Sequence, residues 1–435
     1  MKDTDKERFA VKKGDHIYQQ YIAILKEELK PAMGCTEPIA LALAGAKVRQ
    51  LLGCLPDRVA LKVSGNIIKN VKSVIVPNTG GMHGIGPAVC AGIVAGDAEK
   101  ELQVISCVSD SQREDLRAFM ETVTPEIQAS DSELTFDIDL AISSGDQNAR
   151  LRIINHHTNV VHMEKNGETL LDLPVEESSE DRLTDKSCLT MEKIVEFADC
   201  VDVEDIRELV GRQIRCNMAI AREGLKGNWG ANVGRVILNR QGALLSKKAA
   251  AYAAAGSDAR MSGCEMPVII LSGSGNQGIT ASVPVAVYAQ EMGASEELLL
   301  RAVALSDLVT IHQKTGIGRL SAYCGAISAG CGAGAGIAYL QGGRLDAVAH
   351  TVVNAIAILS GTICDGAKPS CAAKIAAAVD AGILGCDMYW EDQQFYGGDG
   401  IVTKGADRTV SNVGRLAREG MKETDKTILK IMLDE

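Results

Sequence analysis

The 435-residue sequence predicts an α+β fold. It has an N-terminal mixed α/β domain over residues 1–180 and a larger, all-helical, Ala/Gly-rich domain over 181–435, on which the leading helix pair packs. Three observations predict this. Strand-like runs stop before Thr190, and Ala-rich segments with helical spacing follow it. Residues 176–185 are charged and polar and make the best linker in the chain. Hydrophobic residues make up 46% of the sequence but aromatics only 3%. The core must therefore be built from small aliphatic residues and glycine, which suits helices whose backbones approach closely. A chain of this length exceeds one small core.

In chain order, apolar residues recur at helical spacing from 17 to 52, among them Ile22, Leu25, Leu29, Ile39, Leu43 and Val48. Lys30-Pro31-Ala32-Met33-Gly34-Cys35-Thr36-Glu37-Pro38 interrupts them, because a proline on each side forces a break. Thr36 or Cys35 then caps the second helix, with Pro38 near its first turn. A helix N-terminus stabilises thiolate, so Cys35 is expected to have a lowered pKa; the alternative is a buried cap residue. Residues 59–63 and 71–76 read as strands. The glycine-rich loop 77–87 opens a helix, and its amides, with Asn78, Thr79 and Gly80, form a candidate carboxylate site. His83 in that loop is either an acid–base group or a structural hydrogen-bond partner. Runs 102–108, 134–142 and 149–163 read as further strands. His156 and His157 would point to opposite faces of the last one and cannot chelate together; they are read as solvent or edge residues.

After Thr190, helices are expected over 194–209, 212–223, 244–255, 279–290, 296–313, 333–340, 345–359 and 372–381. Ser272-Gly273-Ser274-Gly275-Asn276-Gln277-Gly278 ends an apolar run. It lacks the Lys-Ser/Thr of a phosphate loop and the acidic partner of a dinucleotide fold. Its small polar donors, Ser274 and Asn276 foremost, suit the carboxylate and amine of an amino acid.

The formal net charge of −11 argues against a nucleic-acid partner. The N-terminus lacks the apolar core of a signal peptide, and no charge-free apolar stretch reaches about 18 residues. These features predict a soluble, cytoplasmic protein without a membrane partner. In that compartment the 13 cysteines are buried small residues or ligands rather than a disulfide framework. Four of them, Cys324, Cys331, Cys364 and Cys371, fall within residues 321–371. No C-x2-C pair is present, so a structural zinc is not expected. Soft thiolates select iron–sulfur clusters, and three ligands leave one iron open as a Lewis acid. Cys331 is the candidate fourth ligand, and the bland reading of all four is small core residues in an Ala/Gly-rich bundle.

The motifs 30–38, 272–278, the Cys324-Gly325 block and Cys364-Asp365-Gly366-Ala367-Lys368-Pro369-Ser370-Cys371 together resemble the L-cysteine desulfidase family, which is related to the alpha part of iron–sulfur L-serine dehydratase. The resemblance covers nearly the whole chain. It implies an oxygen-sensitive [4Fe-4S] enzyme, independent of pyridoxal phosphate, that converts L-cysteine to pyruvate, ammonia and sulfide. It implies Cys35 as proton acceptor and Cys324, Cys364 and Cys371 as cluster ligands. In serine dehydratases the last ligand pair is spaced more widely than seven, which favours the desulfidase branch here. L-Serine dehydration and a non-enzymatic redox sensor are the rival functions, and a homo-oligomer is allowed.

Overall fold

The computed structural model describes residues 11–132, 134–174, 184–242, 244–318 and 320–433. The proposed linker therefore lies, except for Thr184 and Asp185, outside the described residues. The first part of the chain contains helices α1 (His16–Glu28), α2 (Thr36–Leu52), α3 (Gly65–Val71), α4 (Ile85–Ala95) and α5 (Asp110–Thr122). It also contains strands β1 (Pro31–Met33), β2 (Arg58–Val63), β3 (Glu126–Ala129), β4 (Asp137–Ser144), β5 (Gln147–Ile154), β6 (Val160–Lys165) and β7 (Glu168–Asp172). Six strands form one sheet in the order β3-β2-β4-β5-β6-β7, antiparallel except for the β2–β3 pair. Asn166 and Gly167, both at positive φ, close the β6–β7 hairpin.

Among the described residues that follow, β8 (Pro267–Ile269) is the only strand and the other regular elements are helices. The α-helices are α6 (Met191–Cys200), α7 (Val203–Lys226), α8 (Val233–Gln241), α9 (Leu245–Met261), α10 (Gly275–Met292), α11 (Glu296–Ile317), α12 (Gly325–Leu340), α13 (Leu345–Leu359), α14 (Cys371–Trp390), α15 (Ala406–Arg415) and α16 (Lys422–Leu433). None of the described helices is long and apolar enough to cross a membrane.

Two expected strands are something else. Residues 71–76 run from the end of α3 through a turn to a single β-bridge between Ile75 and His83, and 102–108 run from the end of a 3-10 helix (Ala98–Gln103) into turns. Their apolar side chains are nonetheless buried, as Val71, Val76, Val104 and Ile105 show. A short apolar run marks burial without fixing backbone conformation.

Two contacts set up the site. The first is the small antiparallel pair β1–β8, in which Ala32 faces Val268 and Met33 faces Pro267. It ties the start of α2 to the loop before α10. The leading helices thus straddle the two parts: Tyr18 and Tyr21 of α1 pack on Phe197 of α6, whereas α2 lies against α4, β4 and β5. The second contact is between α12, buried along nearly its whole length, and α14. A Cβ on Gly330 would sit 2.3 Å from the Ala378 carbonyl oxygen, and one on Gly382 would sit 2.1 Å from that of Gly330 and 3.2 Å from Gly334 N. The contact advances in step along both helices, from Gly330 on Ala378 to Gly334 on Gly382. The helices run side by side in one direction and begin at the same end. A side chain at Gly382 must push these backbones apart, so Gly382→Val is expected to destabilise the protein by about 3 kcal/mol, measured by urea or thermal unfolding.

Candidate active site

Four helices begin on the wall of one cleft. Cys35 is the N-cap of α2, Ser274 of α10 and Cys324 of α12, while Cys371 is the first residue of α14. The cleft holds about 860 Å³ of empty space, part of it open to solvent. Cys364 joins them through a backbone bridge: its N–H donates to the Ala322 carbonyl (2.6 Å), and the Cys324 N–H donates to the Thr362 carbonyl (3.2 Å). Sulfurs distant in sequence thus line one cavity. Cys331 does not; it is buried inside α12, away from the cleft wall.

The cleft is electropositive despite the acidic chain. Among the described residues, Lys69, Arg260, Lys314 and Lys374 line it, against the single carboxylate of Glu37. Helix N-termini add partial positive charge. Lys69 is ion-paired to Asp425 and Lys374 to Asp365, and neither aspartate is on the wall. Burial works against ionisation of Asp365, but Lys368 and Lys374 hold its carboxyl down at about 2.

Around Cys35 the hydrogen bonds are local. Its thiol donates weakly to Glu37 Oε2 (3.7 Å). The Thr36 hydroxyl lies 2.9 Å from the same oxygen and 3.0 Å from the Gly273 carbonyl, and its one proton is shared between them. Asn70 Nδ2 donates to Glu37 Oε1 (3.0 Å). Cys35 is not the low-pKa thiol that its cap position predicts. Burial, reinforced by the Glu37 carboxylate and only partly offset by Arg260, pushes it up to about 12. A helix end supplies about 0.3–1 kcal/mol, whereas a rise of three units is about 4 kcal/mol, so desolvation wins. Burial likewise pushes the Cys324 and Cys371 thiols up, and Cys364 beside them adds to the rise in both.

Of the residues expected to bind substrate, Ser274 and Asn276 are on the wall; Asn78, Thr79 and Gly80 are not. Their loop braces the strand that presents Cys35. Asn78 Nδ2 donates to the Ile105 carbonyl (2.8 Å) and touches Met33 Sδ (3.4 Å). The Thr79 hydroxyl donates to the Val76 carbonyl (2.8 Å) and accepts from Met82 N–H (3.2 Å). Gly34, at φ +62, lies so close to Pro77 that a Cβ would meet its ring at 2.3 Å. His83 is exposed. His156 and His157 correct the sequence reading: they occupy the turn between β5 and β6. His157 is a buried cleft-wall residue, with its ring edge-on to Phe136 at 4.8 Å. Packing by Phe136 removes it from solvent, which a strand-face argument does not foresee.

Sequence reasoning assigned no role to Glu37, although it stands inside the Cys35 motif, and did not single out Arg260, Gln277 or Lys314. A buried charge within an Ala-rich helix gives no signal of which cavity it faces until the helices are packed.

The family model for the serine dehydratase alpha chain matches residues 99–430, a span that includes Ser274, Cys324, Cys364 and Cys371 but not Cys35. A UPF0597 protein of Desulfitobacterium hafniense (strain Y51) is 57% identical over 421 residues, covering 97% of this chain and 98% of that one. UPF0597 proteins of Lachnoclostridium phytofermentans and Treponema denticola are 45% and 42% identical; each alignment covers 96% of this chain, and 100% and 98% of theirs.

Proposed function

This chain belongs to the serine dehydratase alpha chain family, and from that premise we propose that it is an iron–sulfur lyase removing the β-substituent of a small L-amino acid, with L-cysteine preferred to L-serine. The observation that carries this reading is the meeting of Cys35, Cys324, Cys364 and Cys371 on one cleft.

Cys324, Cys364 and Cys371 would hold a [4Fe-4S] cluster. The donor set fits: three soft thiols at helix starts or in a loop, none in a disulfide. Among the described residues no three His, Cys, Asp or Glu side chains are close enough to hold a single metal ion. The thiolates of a cubane each bind a different iron and stand further apart than that. When bound, the cluster supplies an iron without a protein thiolate, a Lewis acid suited to a soft leaving group.

The chain's own residues supply the proton transfer. Cys35 takes the proton from the substrate α-carbon while its own thiol proton passes to Glu37. The Cα–H electron pair becomes the Cα=Cβ bond, the Cβ–S bond breaks, and sulfide leaves. The 2-aminoacrylate tautomerises to an imine, and water hydrolyses it to pyruvate and ammonia. Thr36 and Asn70 hold the Glu37 carboxylate in reach of the thiol.

The test is anaerobically reconstituted protein supplied with L-cysteine or L-serine at equal concentration, with pyruvate, ammonia and sulfide measured. Faster pyruvate from L-cysteine, matched by sulfide, supports the reading. A preference for L-serine moves the assignment to serine dehydration, and no ammonia from either ends the lyase reading. Glu37→Gln, which keeps shape but accepts no proton, is expected to lower kcat by about 10²-fold with iron content unchanged.

A further inference from the structure

Arg260 is a buried cation without an ion-pair partner among the described residues. It lies in the last turn of α9, 2% exposed, on the wall of the cleft. Among the described residues its guanidinium makes no ion pair, and Nε has no hydrogen-bond partner. The fold makes room for it at the start of α10. A Cβ on Gly275 would come within 2.3 Å of Arg260 Nε and 2.8 Å of Cζ, so only glycine lets the guanidinium lie against that helix start. The first-turn N–H groups of α10 have no intrahelical acceptor and face the same corner. Two buried acceptors on the same cleft wall are equally unmatched: among the described residues, Asn276 Oδ1 and Gln277 Oε1 have no hydrogen-bond partner.

An isolated buried guanidinium is costly, and so is a buried carbonyl without a donor. One ligand answers both needs. A zwitterion brings a carboxylate to the cation and an ammonium to the two acceptors, while adding no net charge to the cleft. We propose that Arg260, with the α10 helix start, anchors the α-carboxylate of the amino-acid substrate, and that the Asn276 and Gln277 side-chain carbonyls receive its α-ammonium. This deepens the lyase reading and rests on it, because the cleft is the same one. It gives the chain a fixed handle on the α-carbon, leaving the β-substituent to point at the cysteine cluster. The guanidinium is also suited to the task by its flat fork, which matches a carboxylate with two parallel bonds.

The proposal predicts effects of opposite sign. Removing an unpaired buried charge relieves the ligand-free protein, so Arg260→Gln is expected to unfold at a temperature equal to or above that of the wild type. The same substitution is expected to weaken binding of L-alanine, an unreactive amino acid without a leaving group, by about 10- to 100-fold, the equivalent of one or two charge-assisted bonds. Binding is read by calorimetry on the full chain with its cluster loaded, and ethylamine, which is L-alanine without the carboxylate, serves as the comparison. Wild type is expected to prefer L-alanine to ethylamine, and Arg260→Gln to lose that preference. Arg260→Lys keeps the charge but not the fork and is expected to fall between. A lower unfolding temperature for Arg260→Gln with unchanged L-alanine binding would make Arg260 a structural residue and overturn the proposal while leaving the lyase standing. Wild-type protein that eliminates sulfide yet binds L-alanine and ethylamine alike overturns the anchor alone. Wild-type protein that binds no amino acid overturns both.

Discussion

Replacing Cys35 by alanine is expected to lower kcat for elimination by about 10²- to 10⁴-fold, the contribution of a positioned proton acceptor. Iron content and KM are expected to stay near wild type. The expectation follows from where the residue stands. Cys35 caps α2 on the wall shared with Cys324, Cys364 and Cys371, and the only side-chain hydrogen bond its sulfur makes among the described residues is the weak one to Glu37. Deleting the sulfur leaves the carboxylate held by Thr36 and Asn70, so the wall keeps its shape and loses its proton acceptor. Cys35→Ser tests the same point more finely. It keeps the volume but offers a much weaker acid–base group, so it should fall close to the alanine variant rather than to wild type. Cys54, which is exposed and remote from the cleft, is the control; Cys54→Ser should leave kcat unchanged. Full activity in Cys35→Ala would remove the thiol from the mechanism and leave Glu37 as the acceptor to examine.

How far such a site could be read in advance depended on whether each residue announces its neighbours. The cysteines did so because they stand next to glycine or proline breaks, at helix starts where a side chain faces outward along the axis. Cys35 after Gly34 and Cys324 before Gly325 are examples. The Ser272-Gly273-Ser274 turn was visible for the same reason, and Ser272 and Gly273 do take positive φ. The loop at Asn78 carries the same signature, with Asn78, Gly80 and Gly81 at positive φ, yet it serves as a brace. Glycine-rich sequence marks a tight turn; what the turn faces is decided by long-range packing, here by Pro77 against Gly34. Arg260 and Gln277 were illegible on that account. One sits in a helix of alanines, the other just past a turn, and only the convergence of α9 and α10 gives them a common corner.

The fold divides in the same way. The helical half was readable because Ala-rich periodicity over many residues leaves few other choices. Boundaries still moved: 194–209 and 212–223 became α6 and the unbroken 24-residue α7, with the break at Val201 and Asp202. In the sheet, strands with a buried face such as β4 and β5 were found. Strands β3 and β7, exposed along nearly their whole length, carry no alternation to detect. The Asn166-Gly167 turn is a local hairpin signal for β7, and sequence reasoning did not use it.

Away from the cleft, Asp307→Asn is expected to stabilise the protein by an amount that grows with pH. Asp307 in α11 is fully buried, and Gln213 Nε2 donates to its Oδ1 at 2.9 Å. Its Oδ2 and the Gln213 Oε1 both lack a partner among the described residues. Burial pushes the carboxyl up to about 8, with the Gln213 bond opposing only in part, from an ordinary value of 3.8. The folded protein therefore holds a proton that the unfolded chain has released, throughout the window between those two values. Stability contributed by the protonated group is complete below the unfolded value and is lost as pH rises, at about 1.4 kcal/mol per unit. By pH 7 this approaches roughly 4 kcal/mol. Asparagine keeps an acceptor for Gln213 Nε2, adds a donor for Gln213 Oε1 and cannot ionise. Urea unfolding of both proteins from pH 5 to pH 8 should show the variant ahead, with the gap widening towards the alkaline end and kcat unaffected, since neither Asp307 nor Gln213 is on the cleft wall. A gap that stays constant with pH, or a variant less stable at pH 8, would mean that Asp307 is ionised in the folded protein, and the pair would then need a compensating charge that its neighbours do not supply.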